Sequence, residues 1–146
     1  RDIHGAGTLR ADGVLEVDTW LAMPGASHFK ICGDTGGSAA PSGLSLLAAG
    51  ISFCYMTQLS RYIENMKLAI RGVRLVQLTP FRGGRKAVAE PIDTHLFLNG
   101  EAPAETHVNL LTVAARTCYL HAAAKTPTEP NLRIVHNGRP ITAKAA

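Results

Sequence analysis

Two of the chain's three cysteines, Cys54 and Cys118, lie in apolar surroundings 64 positions apart (118 − 54). Cys54 sits inside GISFCYMTQLSRYIENM, and Cys118 inside ARTCYLHAA with His121 three residues on. A lone core cysteine is usually a small hydrophobe. Two thiols within reach of each other can exchange electrons through a disulfide. A thiolate beside a histidine can act as a nucleophile. Cys118-x-x-His121 supplies one ligand pair where a structural zinc site uses four ligands, so no metal is expected. A reactive thiol also needs a cation or a helix N-terminus to lower its pKa. Cys54 lies too deep in its expected helix to draw on the dipole, so it needs an Arg or His from elsewhere. Spacing alone leaves packing, redox chemistry and Cys/His-dependent hydrolysis all open.

The elements that must position these residues follow from pattern. Pro41-Ser42 opens a helix over Gly43 to Lys67, with Ser42 as N-cap. Its first half (Leu44, Leu46, Leu47, Ile51, Phe53, Met56) is apolar all round, which predicts burial on every side. Its second half sets Leu59, Tyr62, Ile63 and Met66 against Arg61, Glu64 and Asn65. Gly50 in its interior implies a close approach by another element. Pro103 starts a second helix, with Glu105 in the first turn, and His107, Leu110, Leu111, Ala114, Cys118 and His121 share one helical face.

Before the first helix, GAGTLRA and VLEVDTWLA alternate about Asp12-Gly13 and read as a hairpin. Met23 to Ser42 is loop-like, with a short strand at FKIC; Cys32 there has no assigned role. VRLVQLTPF and EPIDTHLFLNG are strands after Gly72, and NLRIVHNG is a last one. His95 and His136 fall on these strands and read as structural. Strands grouped rather than alternating one-for-one with helices give an α+β domain spanning 1–146.

Composition narrows the class. Hydrophobic residues are 46% and charged residues 18% of the 146, which is globular. The least polar run, Leu44 to Met56, is too short to cross a bilayer. The net charge of +4 is spread out apart from Arg82, Arg85 and Lys86, so neither nucleic acid nor membrane is an expected partner. Three cysteines fit no secreted disulfide framework, and a reducing cytoplasm is expected. No secretory signal can be read, and from the start at Arg1 rather than Met we expect a processed or truncated chain, or one part of a longer protein.

PSGLSLLAAGISFCYMTQLSRYI followed by AARTCYLHAAAKTPTEPNLRIVHNG resembles the osmotically inducible protein C / organic hydroperoxide resistance (OsmC/Ohr) family over most of the chain. The resemblance implies an OsmC-like fold, with antiparallel sheets around two central helices, in an intertwined homodimer. It also implies that Cys54 is the peroxidatic cysteine, attacking an organic hydroperoxide, and Cys118 the resolving one. The resulting disulfide would be reduced by an external lipoyl-type dithiol, with no bound cofactor.

The chain departs from the family pattern at the activating groups. The family's glutamate, ten positions ahead of the first cysteine, is Leu44 here, and His4 falls where an arginine is expected. The proline after the second cysteine is Tyr119. His4, Arg10 and His121 are the candidate substitutes beside the thiolate. A thiol peroxidase therefore competes with a non-catalytic OsmC-like protein binding a hydrophobic small molecule, and with a Cys/His hydrolase.

Overall fold

The computed structural model describes residues 2–126 and 130–141. Three strands come first: β1 (Ile3–Leu9), β2 (Leu15–Leu21) and β3 (His28–Gly33). They form an antiparallel sheet in the order β1-β2-β3. The β1–β2 turn carries Gly13 at φ 84, a left-handed value that a side chain disfavours. β3 is longer than the FKIC expectation and places Cys32 on a strand, exposed, rather than in a loop.

Helix α1 (Gly43–Asn65) begins as expected: the Ser42 hydroxyl accepts from the Ser45 N–H at 3.2 Å. It ends two residues short of the expected Lys67. Lys67 adopts φ 52, and the N–H groups of Lys67 and Leu68 return to the carbonyls of Glu64 and Ile63. That double bond pattern is a Schellman cap, here with lysine in place of the usual glycine. The extended run that follows is β4 (Ile70–Leu78), paired antiparallel with β7 (Asp93–Gly100). Pro80 ends the pattern of β4, and Phe81 belongs instead to a two-residue ribbon of β5 (Phe81–Arg82) with β6 (Val88–Ala89). At Gly100 an added Cβ would collide with the Ala69 carbonyl, so this strand end requires glycine.

The helical layer continues with α2 (Ala104–Thr117) and α3 (Tyr119–Lys125). The core is Tyr55 and Leu59 of α1, Leu110 and Ala114 of α2, and Cys118 at the α2–α3 joint. Val73 and Leu75 of β4 and Leu96 and Leu98 of β7 pack on it. Full burial of a side chain such as Leu59 contributes roughly 1.5–3 kcal/mol.

Three expectations are corrected. The first half of α1 is not covered on every side: Leu44, Leu47 and Phe53 are exposed, Phe53 by 74%. Helix α1 is also long and apolar enough, by length and composition, to cross a membrane, so run length did not decide that question. Its packing against α2, α3 and β4 makes it the core helix of this fold. Lastly, NLRIVHNG is not one strand. Asn137 (φ 50) and Gly138 (φ 76) turn the chain back, so that β8 (Ile134–His136) pairs only with β9 (Arg139–Ile141) among the described residues. Paired left-handed residues are what a two-residue hairpin turn needs.

Candidate functional site

Cys54 lies on α1, half-buried, and Cys118 is fully buried at the end of α2. The fold brings them together. Cys54 packs against the cluster that contains Cys118, and its thiol is close enough to act on the ionisation of Cys118. Both thiols are free.

Cys118 does not sit within a continuous helix, as its spacing suggested. Its backbone is extended (φ −74, ψ 117), which closes α2 and opens α3. The Cys118 N–H still donates to the Ala114 carbonyl at 3.0 Å, and the Cys118 carbonyl accepts from Ala122 at 3.0 Å. Cys118 and His121 thus belong to different elements. The extended ψ lets the main chain change direction between two helical runs, and it sets the sulfur near the N–H groups of Leu120 and His121.

Burial pushes the Cys118 thiol up, and the neighbouring Cys54 adds to the rise. The Leu120 and His121 N–H groups pull the other way and do not prevail. Beside them the Tyr55 phenol is pushed up to about 12, by burial first and then by Cys118. Its hydroxyl donates to the Leu111 carbonyl at 3.0 Å. Cys118 therefore rests as a neutral thiol in an apolar setting.

The expected auxiliaries separate into two groups. His121 is at hand: it is buried, and its ring lies 5.2 Å from that of Tyr55. Burial and the Lys125 charge push its pKa down, so the imidazole is neutral. His4 and Arg10 belong to the N-terminal sheet and its first turn. Arg10 is held by Asp12 at 2.7 Å, and His4 lies against Trp20 with 5.5 Å between rings. Leu44 is exposed, and no acidic residue occupies the first turn of α1. His95 is exposed and contacts Asp93 at 3.2 Å, and His136 is exposed on β8. Among the described residues no group of three potential ligands could hold a metal ion.

Sequence reasoning missed a polar cluster behind His121. The Gln77 carboxamide accepts from Ser52 Oγ at 2.8 Å and donates through Nε2 to Thr94 Oγ1 at 3.0 Å. The same Nε2 lies 3.4 Å from His121 Nε2. A glutamine amid the apolar residues of VRLVQL, and a serine between Ile51 and Phe53, were the available signals. Next to this cluster lies a cavity of about 620 Å³, walled by Leu47, Ile51, Phe81, Leu120, His121 and Lys125 among others.

No family model and no curated protein matches this sequence. Solved structures do match in shape. An OsmC-like hydroperoxide resistance protein from Jannaschia sp. CCS1 aligns at a TM-score of 0.64 and 18% identity, over 97% of this chain and 96% of that one. An OsmC-like protein from Mycoplasma pneumoniae aligns at 0.70 and 11%, over 86% and 88%. An organic hydroperoxide resistance protein OsmC from Legionella pneumophila aligns at 0.59 and 17%, over 86% and 90%. By this likeness of shape the chain has the OsmC-like α+β fold in a strongly divergent sequence.

Proposed function

We propose that the protein is a two-cysteine thiol redox protein that reduces organic hydroperoxides. The observation that carries this reading is the contact between two free thiols, Cys54 and Cys118, joining α1 to the α2–α3 joint. In the cycle, Cys54 loses its proton and its sulfur attacks the terminal oxygen of ROOH. The O–O bond breaks, leaving Cys54 as a sulfenic acid and releasing the alcohol once the alkoxide takes up a proton. The Cys118 sulfur then attacks the Cys54 sulfur. A disulfide forms and water leaves. An external dithiol of the lipoyl type returns both cysteines to thiols by exchange. The three unpaired thiols suit a reducing cytoplasm.

The working unit of this reading is a homodimer. Ile3, Leu9, Leu15, Val17, Leu21, Phe29 and Ile31 alternate onto one face of the β1–β3 sheet, and all are exposed in the single chain, Ile3 by 71%. Exposed Leu44 and Phe53 on α1 present a second uncovered surface. Two copies covering each other's faces would bury on the order of 2,000 Å² or more in total. Light scattering that gives a stable folded monomer at micromolar concentration overturns the dimer.

The chemistry is tested by following cumene hydroperoxide consumption with dihydrolipoamide. The native chain is expected to turn over slowly, because no carboxylate stands in the first turn of α1 to hold a cation beside Cys54. Cys54→Ser should abolish turnover. Cys118→Ser should trap the oxidised Cys54, visible by mass spectrometry as one added oxygen. Equal rates for the native chain and Cys54→Ser overturn the redox reading. Single replacement of His4, Arg10 and His121 by Ala identifies which of them supports the thiolate.

A further inference from the structure

The cavity beside α3 contains neither Cys54 nor Cys118 in its wall, and its chemistry differs from that of the thiol pair. We propose that it is a binding site for a single-chain carboxylate amphiphile, its tail among Leu47, Ile51, Phe81 and Leu120 and its head at Lys125 and His121. This proposal stands apart from the peroxidase reading.

Size and lining come first. A volume of about 620 Å³ falls within the range of small-molecule sites, roughly 300–1,000 Å³. The wall is mostly aliphatic and aromatic, which suits a hydrocarbon chain. Two charged residues reach it. Glu90 is engaged by Arg82, so its charge is matched. Lys125 makes no ion pair among the described residues. Among the described residues the unmatched charge in the wall is therefore positive and asks for an anion.

The second polar group is His121, 8% exposed. The Gln77 amide nitrogen faces its Nε2, which makes Nε2 the acceptor and leaves the proton on Nδ1. That Nδ1 is buried and has no hydrogen-bond partner. A buried donor without a partner is costly, and a carboxylate oxygen is the acceptor it lacks. His121 and Lys125 both line the cavity, so one carboxylate head serves both. A neutral hydrocarbon would leave both Lys125 and Nδ1 unanswered, and a cationic amphiphile would meet Lys125 with like charge.

Calorimetric titration of the reduced native chain with octanoate, decanoate, decan-1-ol and decyltrimethylammonium, all below their micellar concentrations, tests the site. Decanoate should bind one per chain, roughly tenfold tighter than octanoate for its two extra methylenes. Decan-1-ol should bind about fivefold or more weakly than decanoate, and the cation should not bind. Lys125→Glu, at an exposed position, should erase the preference for the carboxylate, and Leu47→Trp should block the cavity. Binding should persist in Cys54→Ser, which separates this site from the peroxidase chemistry. No saturable decanoate binding up to millimolar concentration overturns the proposal. Equal affinity for decanoate and decan-1-ol, or unchanged binding by both Lys125→Glu and Leu47→Trp, overturns it as well.

Discussion

Val17 on β2 and Leu75 on β4 occupy the same kind of position, an apolar residue alternating along an antiparallel strand. Leu75 packs on the core with Val73, Leu96 and Leu98, whereas Val17 remains 37% exposed beside Ile31 and across from Gly7. The polar face of the N-terminal sheet is the more engaged one. Lys30 pairs with Glu16 at 3.0 Å, His28 with Asp18 at 3.0 Å, and Trp20 stacks on His28 with 4.7 Å between rings. Alternation thus specifies which residues share a face, but the partner that covers the face is specified by the rest of the assembly. In the helical half that partner lies within the same chain; for the β1–β3 sheet none of the described residues supplies it.

The widest gap between the two regions is expected from charge on the uncovered face. Val17→Asp with Ile31→Asp should convert a dimer into a monomer, read as a halved mass in light scattering. The helical far-UV signal should survive at moderate temperature, because these residues make no part of the Tyr55–Leu59 cluster. An unchanged mass would show that the sheet is not the interface. Leu59→Ala probes the other side. Leu59 is fully buried among α1, α2 and the sheet, so its truncation should cost about 2–5 kcal/mol of unfolding free energy in urea denaturation. A similar truncation at exposed Leu9, measured in the charged double variant so that no partner covers it, should change stability by less than about 0.5 kcal/mol.

The same contrast explains how much could be read in the sequence. Local rules were legible because their physics is local: the Ser42 cap, the Asp12-Gly13 turn, the alternation of β4 and β7, and the apolar face of α2. The break at Cys118 was not. ARTCYLH holds neither Gly nor Pro, and its apolar spacing continues straight through the joint, so only the three-dimensional course of α2 and α3 reveals it. The backbone of Cys118 was misjudged, being extended where a continuous helix was expected. NLRIVHNG was read as one strand although it ends on Asn137-Gly138, and a three-residue β9 beginning Arg139-Pro140 offers too little pattern to be seen as a strand. Gln77 and Ser52 matter through each other, across two elements 25 positions apart, and periodicity does not register such a pair.

A smaller effect separates the regions by pH. Burial and Lys125 hold the His121 pKa below the ordinary 6.5. The unfolded chain then binds the proton at a higher pH than the folded one. Stability from this group is intact above 6.5 and falls as pH drops from there through the folded-state value. His121→Gln should flatten this part of the urea-midpoint profile. Equal slopes for native and His121→Gln would show that His121 is not held neutral by the helical half.

The finest test concerns Gly50, where sequence reasoning expected a close approach by another element. The approach is real: a Cβ built on Gly50 meets Leu120 Cδ1 at 3.5 Å. That is ordinary van der Waals contact, and the atom it meets is the end of a flexible side chain. Gly50 lies in the interior of α1, where glycine costs about 0.5–1 kcal/mol relative to alanine through backbone freedom in the unfolded chain. Nothing in the packing offsets that cost, so Gly50→Ala should stabilise the protein by several tenths of a kcal/mol, seen as a higher urea midpoint with an unchanged slope. The added methyl also fills space between α1 and α3 without entering the thiol pair, so peroxide turnover should not change. A destabilisation of about 1 kcal/mol or more would mean that α1 and α3 are locked more tightly than the 3.5 Å contact implies, as in a packed core with no slack. In that case the helical half would differ from the N-terminal sheet in rigidity as well as in burial.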